Sequence, residues 1–451
     1  MILRSFRVED AVIALPPAGP SAETQPRPWP LATRLAFRFC FVYFSLICLT
    51  TQILGGLLQI PKVDVPELQY LPPLSSMVNF TALHIFQIKG PLVMTGSGSG
   101  DKIADWVLLF CYLIVSAAAT AVWSVLDRKR PRYDALARWF RLFLRFALAG
   151  QMLGYGFAKI FPMQMSYPSL DTLLEPYGHF SPASVLWWFI GSSPAYEIIC
   201  GSVEALCALL LIVPRTALLG SLLTAGVAAQ IFLFNMAYDI PVKLLSFHLM
   251  LMALFLAAPE FSRISRFFLS RAPVEPSQQP SLFQSLRANR FALWAQIVFG
   301  LWLLGNNIYG ANAAWYEYGG GAPKSPLYGI WNVDKLAIDN HERSPLLNDY
   351  GRWRRLIFEY PKFLSYQRMD DSFGGFAAEI DTKTQTIALT KGDDKKWKGS
   401  LHYQRPTPEH LILDGNLGPQ LAHFDLTLVD RSKLMLVSRG FHWVQEYPFY
   451  R

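Results

Sequence analysis

Two patterns of apolar and polar positions divide this chain of 451 residues. In the first two thirds, apolar runs reach the roughly 20 residues that a helix needs to cross a bilayer core. Seven spans are predicted, at about 35–60, 105–126, 138–161, 185–213, 216–237, 241–258 and 291–310. Beyond the seventh the pattern changes. GFAAEID, TIALTK, GSLHYQ, HLILDG, HFDLTLVD and KLMLVS alternate apolar and polar with period two, between clusters of Gly, Asp, Pro or Lys. With IWNVDKLAI, WRRLIFEY and FLSYQRM they read as eight or nine strands of an antiparallel meander. Such a set closes as a small β-barrel or packs as a sandwich. The expected fold class is therefore an α-helical polytopic membrane protein with a C-terminal antiparallel β-barrel domain.

Composition agrees, with 52% hydrophobic and only 16% charged residues, below the roughly 25% charged of soluble domains. The net charge of +8 is a matter of topology rather than of nucleic-acid binding. Residues 311–451 hold 18 Lys and Arg against 17 Asp and Glu, so the excess lies among the spans. It gathers in DRKRPRYDALARWFR, at Arg215, in Arg263, Arg266, Arg271, Arg287 and Arg290, and ahead of the first span at Arg27 and Arg34. The alternate loops carry Asp64, Glu67, Asp101, Asp171, Glu175 and Asp239. The positive-inside rule then puts the N-terminus in the cytoplasm and the β-domain outside, in a bacterial inner membrane.

Six regions follow. They are an N-terminal Pro-rich tail (1–33) without signal-peptide features and two spans joined by a long outer loop (34–137). A four-helix bundle (138–260), a basic cytoplasmic loop (261–290), the seventh span (291–310) and the β-domain (323–451) complete the order. The loop 61–104, with its GSGSG stretch, is expected either to pack over the outer mouth of the bundle or to be partly mobile. The five cysteines all fall in apolar spans, where they read as apolar fillers, with a redox thiol role the lesser alternative.

Ionisable groups at membrane depth are costly, so those within 145–256 are the candidates for chemistry. Glu197 and Glu204 lie seven residues apart, on one face of a helix. With the fourth span at 185–213, Glu197 falls near the bilayer midplane and Glu204 nearer the cytoplasm. They are candidate catalytic carboxylates, for a proton relay or a cofactor contact; packing against a neighbouring cation is the alternative. Lys159, Asn235, Asp239, Lys243 and His248 are expected to gather at the outer mouth as ligand-binding groups. A lone histidine in an apolar helix serves equally as a hydrogen-bonded structural residue. Asp239 and Lys243, at i and i+4, are spaced to pair. No HExxH, CxxCH or paired-His spacing points to a metal or haem. In the β-domain, Gly329 and Trp331 open the first strand and Arg439 follows the last. The pair resembles the lipocalin arrangement, in which a Trp at the barrel base packs under an Arg.

RFALAGQMLGYGFAKIF followed by GSVEALCALLLIVPRT, and then FNMAYDIPVKLLSFH, resembles the DoxX/DoxD-like integral membrane family over about 140–258. The matching positions are Gly156, Lys159, Glu204 and Arg215. The whole chain looks like longer bacterial members with an outer β-domain ending in an RGFHW…EYPF tail. The resemblance implies a four-helix core and, for the named archaeal members, the membrane subunit of a thiosulfate:quinone oxidoreductase. The expectation is a bundle that binds a small hydrophobic or redox partner such as quinone, together with a redox partner protein. Two alternatives are a non-enzymatic envelope protein that handles lipid or protein cargo through its β-domain, and a transporter.

Overall fold

In a computed structural model the chain is described over residues 28–449, apart from 61, 62, 64, 272, 275, 278–280, 393 and 395. Most of the expected N-terminal tail, with Arg27, and the loop acid Asp64 thus lie outside the described residues.

Among the described residues, six apolar helical segments are long enough to cross a membrane. The first, α1 (Leu31–Thr50), is separated at Thr51 from a short α2 (Gln52–Leu58), so the expected 35–60 span is broken. The loop that follows contains α3 (Leu74–His84) and leads to α4 (Ile103–Leu126). Next come α5 (Asp134–Ile160), α6 (Pro182–Gly191) and α7 (Pro194–Ile212). The expected fourth span is thus two helices. Pro194, with no N–H to donate, begins α7 rather than continuing α6. The bundle ends with α8 (Ala217–Ala237), α9 (Lys243–Ala257), its continuation α10 (Phe261–Leu269), and α11 (Leu286–Glu317). The last is longer than the predicted 291–310.

Of the seven expected spans, α5 alone is not apolar enough to count among the six. Yet it is the innermost helix, with Ala147, Leu148, Ala149 and Leu153 fully enclosed. Its arginines explain the discrepancy. A helix leaves its last carbonyls without partners, and Arg145 donates to Leu211 O (2.9 Å) and Ile212 O (2.8 Å) at the end of α7. Arg141 donates to Leu256 O (2.9 Å) at the end of α9. Each guanidinium also meets the negative end of a helix dipole. Arg38 of α1, buried, does the same for α4 through Ser124 Oγ (2.7 Å) and Asp127 O (3.1 Å).

The β-domain consists of β1 (Gly329–Ile338), a two-residue β2 (His341–Glu342), β3 (Trp353–Phe358), β4 (Phe363–Arg368), β5 (Phe373–Asp381) and β6 (Thr386–Thr390). It continues through β7 (Lys398–Thr407), β8 (His410–Leu417) and β9 (Gln420–Leu428). Neighbours pair antiparallel and β1 also pairs with β9, so eight strands close into a barrel. KLMLVS is not a strand: residues Met435–Ser438 are helical. Closure leaves no free edge between β1 and β9 for it to join.

Side chains fill the barrel. Trp353 stacks on Tyr366 (4.2 Å between ring centroids) and Phe424 (5.5 Å), and Phe376 stacks on Trp397 (4.8 Å). Trp331 is fully buried at the base, where its ring lies under the Arg405 guanidinium at 5.3 Å. The expected Arg439 is elsewhere, over Phe449 at 4.2 Å. The Trp-under-Arg arrangement is present, but the cation comes from β7.

The loop between α5 and α6 ties barrel to bundle. Leu170 packs on Ile330 and Ile357 of the barrel's outer face. Leu170 N–H donates to Glu359 (2.9 Å), Ser365 to Asp171 (2.9 Å) and Gln367 to Leu174 O (3.4 Å). Burial pushes the Glu359 carboxyl above its ordinary range, against the opposing pull of Leu170 N–H and Lys324; nearby Asp171 raises it further and Arg431 lowers it. Burial also raises Asp171, and Ser365 pulls it back. A carboxyl with a raised pKa binds its proton more tightly folded than unfolded. It therefore adds stability that is complete below the unfolded pKa and is lost as pH rises through the folded one. The loop should thus hold the barrel more firmly at about pH 4–5 than at about pH 8. Hydrogen exchange of residues 166–175 at the two pH values checks this, with a Glu359→Gln, Asp171→Asn double variant as the pH-insensitive reference. Equal protection of the wild type at both would refute it.

Candidate functional site

The break at Thr51 helps to make room for the main cavity in the helical part, about 570 Å³ in volume. Its walls come from the end of α1, the start of α2, the segment 65–70, the start of α4, Tyr155 of α5 and the start of α9. Residues Thr95–Gly100 cover it. Gly96 and Gly98 take positive φ (79° and 72°), which that turn requires and which glycine adopts without strain. The cover is pinned at its end. Asp101 accepts from the backbone N–H of Lys243 (2.8 Å) and Leu244 (2.9 Å), while Gly100 N–H donates to Pro241 O (2.8 Å). A carboxylate at those free N–H groups both caps α9 and complements its dipole.

One side of the cavity is polar. Lys102 Nζ reaches Asp105 (2.8 Å), Ser99 O (2.7 Å) and Tyr70 Oη (3.2 Å), which uses its three donors. Gln69 donates to Glu67 at 2.5 Å. Burial raises the carboxyl of Glu67 and the phenol of Tyr70. Ile47, Ile53, Leu108 and Leu245 make the wall apolar elsewhere. Tyr112 donates to Thr50 Oγ1 (2.6 Å), whose own hydroxyl is given to Leu46 O (2.7 Å). Tyr155 accepts from Gln52 Nε2 (3.1 Å), which leaves its hydroxyl proton to give. The cavity thus offers hydrogen-bonding groups beside hydrocarbon, as sites for small amphipathic molecules do.

The expected site residues do not converge there. Only His248 lines the cavity. Its Nδ1 lies 2.6 Å from Leu244 O, which can only accept, so Nδ1 carries the proton and Nε2 accepts from Tyr43 Oη at 2.7 Å. Both ring nitrogens are taken, and only the ring is left for a ligand. Lys159 and Glu204 form a separate pair between α5 and α7, with Nζ 2.7 and 2.8 Å from the two carboxylate oxygens. Gly156 makes that pairing possible: a Cβ there would lie 2.9 Å from Gly201 O and Ala205 N. Glu197 is fully buried in the first turn of α7 and accepts Met165 N–H at 2.9 Å. It lies at the end of the bundle where α5 finishes rather than at the middle of a span, because α7 starts at Pro194.

Asn235 closes the α8–α9 turn through Val242 O (3.1 Å) and Ser246 Oγ (3.0 Å). Asp239 sits exposed in the same turn at φ 53°, paired to Lys243 at 3.0 Å. Arg215 is exposed between α7 and α8. The cavity groups that sequence reasoning passed over (Gln52, Glu67, Tyr70, Lys102, Tyr112 and Tyr155) have no motif. The available signal is the long loop 61–104, of which residues Thr95–Gly100 cover the cavity.

No family model matches the chain, and no solved structure does. A stretch of 117 residues, 26% of this chain, is 37% identical to an uncharacterized protein of Bacillus subtilis (strain 168), YwoB, and covers 71% of that protein. By that match the chain belongs to the family of YwoB.

Proposed function

We propose that this is a bacterial inner-membrane protein of DoxX/DoxD-like type whose helical bundle binds a small amphipathic molecule of the quinone class. The observation that carries the reading is the 570 Å³ cavity with its paired apolar and hydrogen-bonding walls. A quinone ring presents two carbonyl acceptors and apolar faces. Tyr155 has a hydroxyl proton to give to one carbonyl, Tyr70 has another, and the isoleucine and leucine side chains take the ring faces. The 117-residue match has room for four membrane-length helices, which suits a four-helix core of this type.

Orientation rests on charge. Arg128, Lys129, Arg130 and Arg132 lie between α4 and α5, and Arg263 and Arg266 lie on α10. Arg141 and Arg145 on the starting half of α5 bind the finishing ends of α9 and α7, so these basic segments share one face of the bundle. The barrel follows α11 at the other face, so the positive-inside rule makes it extracytoplasmic. Its interior, already filled by stacked rings, favours a docking role over a cargo cavity.

A test is ligand protection of the full chain in mild detergent, with a tailless benzoquinone as the probe. The wild type should unfold at a higher temperature with saturating quinone, and Leu109→Trp, which fills the cavity, should lose that shift. No shift in the wild type, or an equal shift in the filled variant, would overturn the reading.

A further inference from the structure

A second cavity, about 450 Å³, lies between α2, α5 and the segment after each of α5 and α11. It shares Gln52 and Tyr155 with the first, and those two side chains are the pair joined by the 3.1 Å hydrogen bond. Gln52 and Tyr155 thus stand where the two cavities meet, joined across it by that bond. On the far side the slot follows Gly150 and Gly154 along α5, past Ala158, to Met163 and Tyr318. Gly56 and Gly150 bring α2 and α5 into backbone contact: a Cβ on Gly150 would lie 2.3 Å from Gly56 O. At Gly154 the opposite holds, because a Cβ there would meet only Asn307 Oδ1 at 3.8 Å. The α5 glycines therefore do different jobs. Gly150 is required for packing; Gly154 keeps the slot open.

We infer that the two cavities form one site for a molecule with a polar head and an extended apolar arm, the head in the first cavity and the arm in the second. This rests on the quinone-class reading above and narrows it to tail-bearing ligands. The head cavity presents Tyr155, Tyr70 and Glu67. The slot wall is largely carbon, made of glycine Cα atoms, Ala158, Met163 and the rings of Tyr155 and Tyr318, with the amides of Gln52, Gln59, Gln151 and Gln164 at its borders. An arm attached to a ring hydrogen-bonded at Tyr155 enters the slot by displacing the Gln52 side chain from the tyrosine. The freed Tyr155 hydroxyl keeps its proton for the head group.

The test compares two probes on the full chain in one detergent: a tailless benzoquinone and the same ring with a ten-carbon tail. In the wild type the tail should tighten binding on the order of tenfold, beyond what it gains with a detergent-only control. In Gly154→Leu, whose added Cβ meets no backbone and whose side chain enters the slot, that gain should vanish while tailless binding persists. A tail gain that survives Gly154→Leu overturns this inference and leaves the quinone-class reading intact. Equal loss of both probes in Gly154→Leu also overturns it, because the slot would then not be separable from the head cavity. Failure of both probes to bind the wild type overturns the quinone-class reading itself.

Discussion

Lys159→Met is expected to destabilise the helical bundle by about 3–5 kcal/mol, the cost of leaving one partner of a buried ion pair uncompensated. The pair is well enclosed, with Lys159 6% and Glu204 3% exposed, and Nζ is shared between both carboxylate oxygens at 2.7 and 2.8 Å. Removing the ammonium strands a buried carboxylate between α5 and α7. Removing both charges is a different matter, because apolar replacement of a whole buried pair is often neutral. Lys159→Met with Glu204→Leu should therefore regain most of the loss. Thermal or denaturant unfolding in detergent, read as a double-mutant cycle, decides it. A single variant within 1 kcal/mol of wild type, or a double variant no better than the single, would show that the pair is not the element holding α5 to α7.

In the barrel, Trp331→Ala should cost about 3–5 kcal/mol, as truncation of a fully buried large aromatic does. The indole ring fills the base and its Nε1 donates to Leu327 O at 2.9 Å, so a cavity and an unpaired carbonyl appear together. Arg405, whose guanidinium lies over the ring, should matter much less: Arg405→Ala is expected to cost about 0.5–1 kcal/mol. Arg439→Ala should leave the barrel unchanged. Hydrogen exchange across 329–428 in the full chain gives the ranking. If Arg439→Ala proves the more damaging arginine variant, the assignment of the stacking cation to β7 is wrong.

The alternation of the β-domain was legible because each strand has one face inside and one outside. Leu411 and Leu413 are fully buried while Asp414, the next residue along β8, is exposed, and that contrast is written in HLILDG itself. The tail KLMLVS misled because strand formation needs an open neighbour as well as apolar residues. The membrane spans were legible from length. Their interruptions were less so, and the misplacement of Glu197 follows directly from reading across Ser192 and Ser193 as one helix. The arginines of α5 argue against a span by composition, yet they lie inside because the carbonyl ends of α7 and α9 are there to receive them.

The cavity was the least legible feature. Its polar wall comes from a loop whose course depends on Asp101 bonding Lys243 N–H, 142 residues away in sequence. Nothing local in GSGSGDK announces that partner. Lys159 and His248 are expected from the sequence as ligand-binding groups at the outer mouth; both are buried, and nothing local in the sequence says that each already has its partners.

The loop between α5 and α6 binds Glu197 at Met165 and the barrel at Leu170 and Asp171. The barrel is therefore joined to the membrane part twice, once through the chain leaving α11 and once through this loop. A body held by one flexible stalk can spin about it; a second attachment on its flank removes that freedom. The face that the barrel turns to the surroundings is consequently a fixed property of the protein, and whatever meets that face meets it in a single orientation.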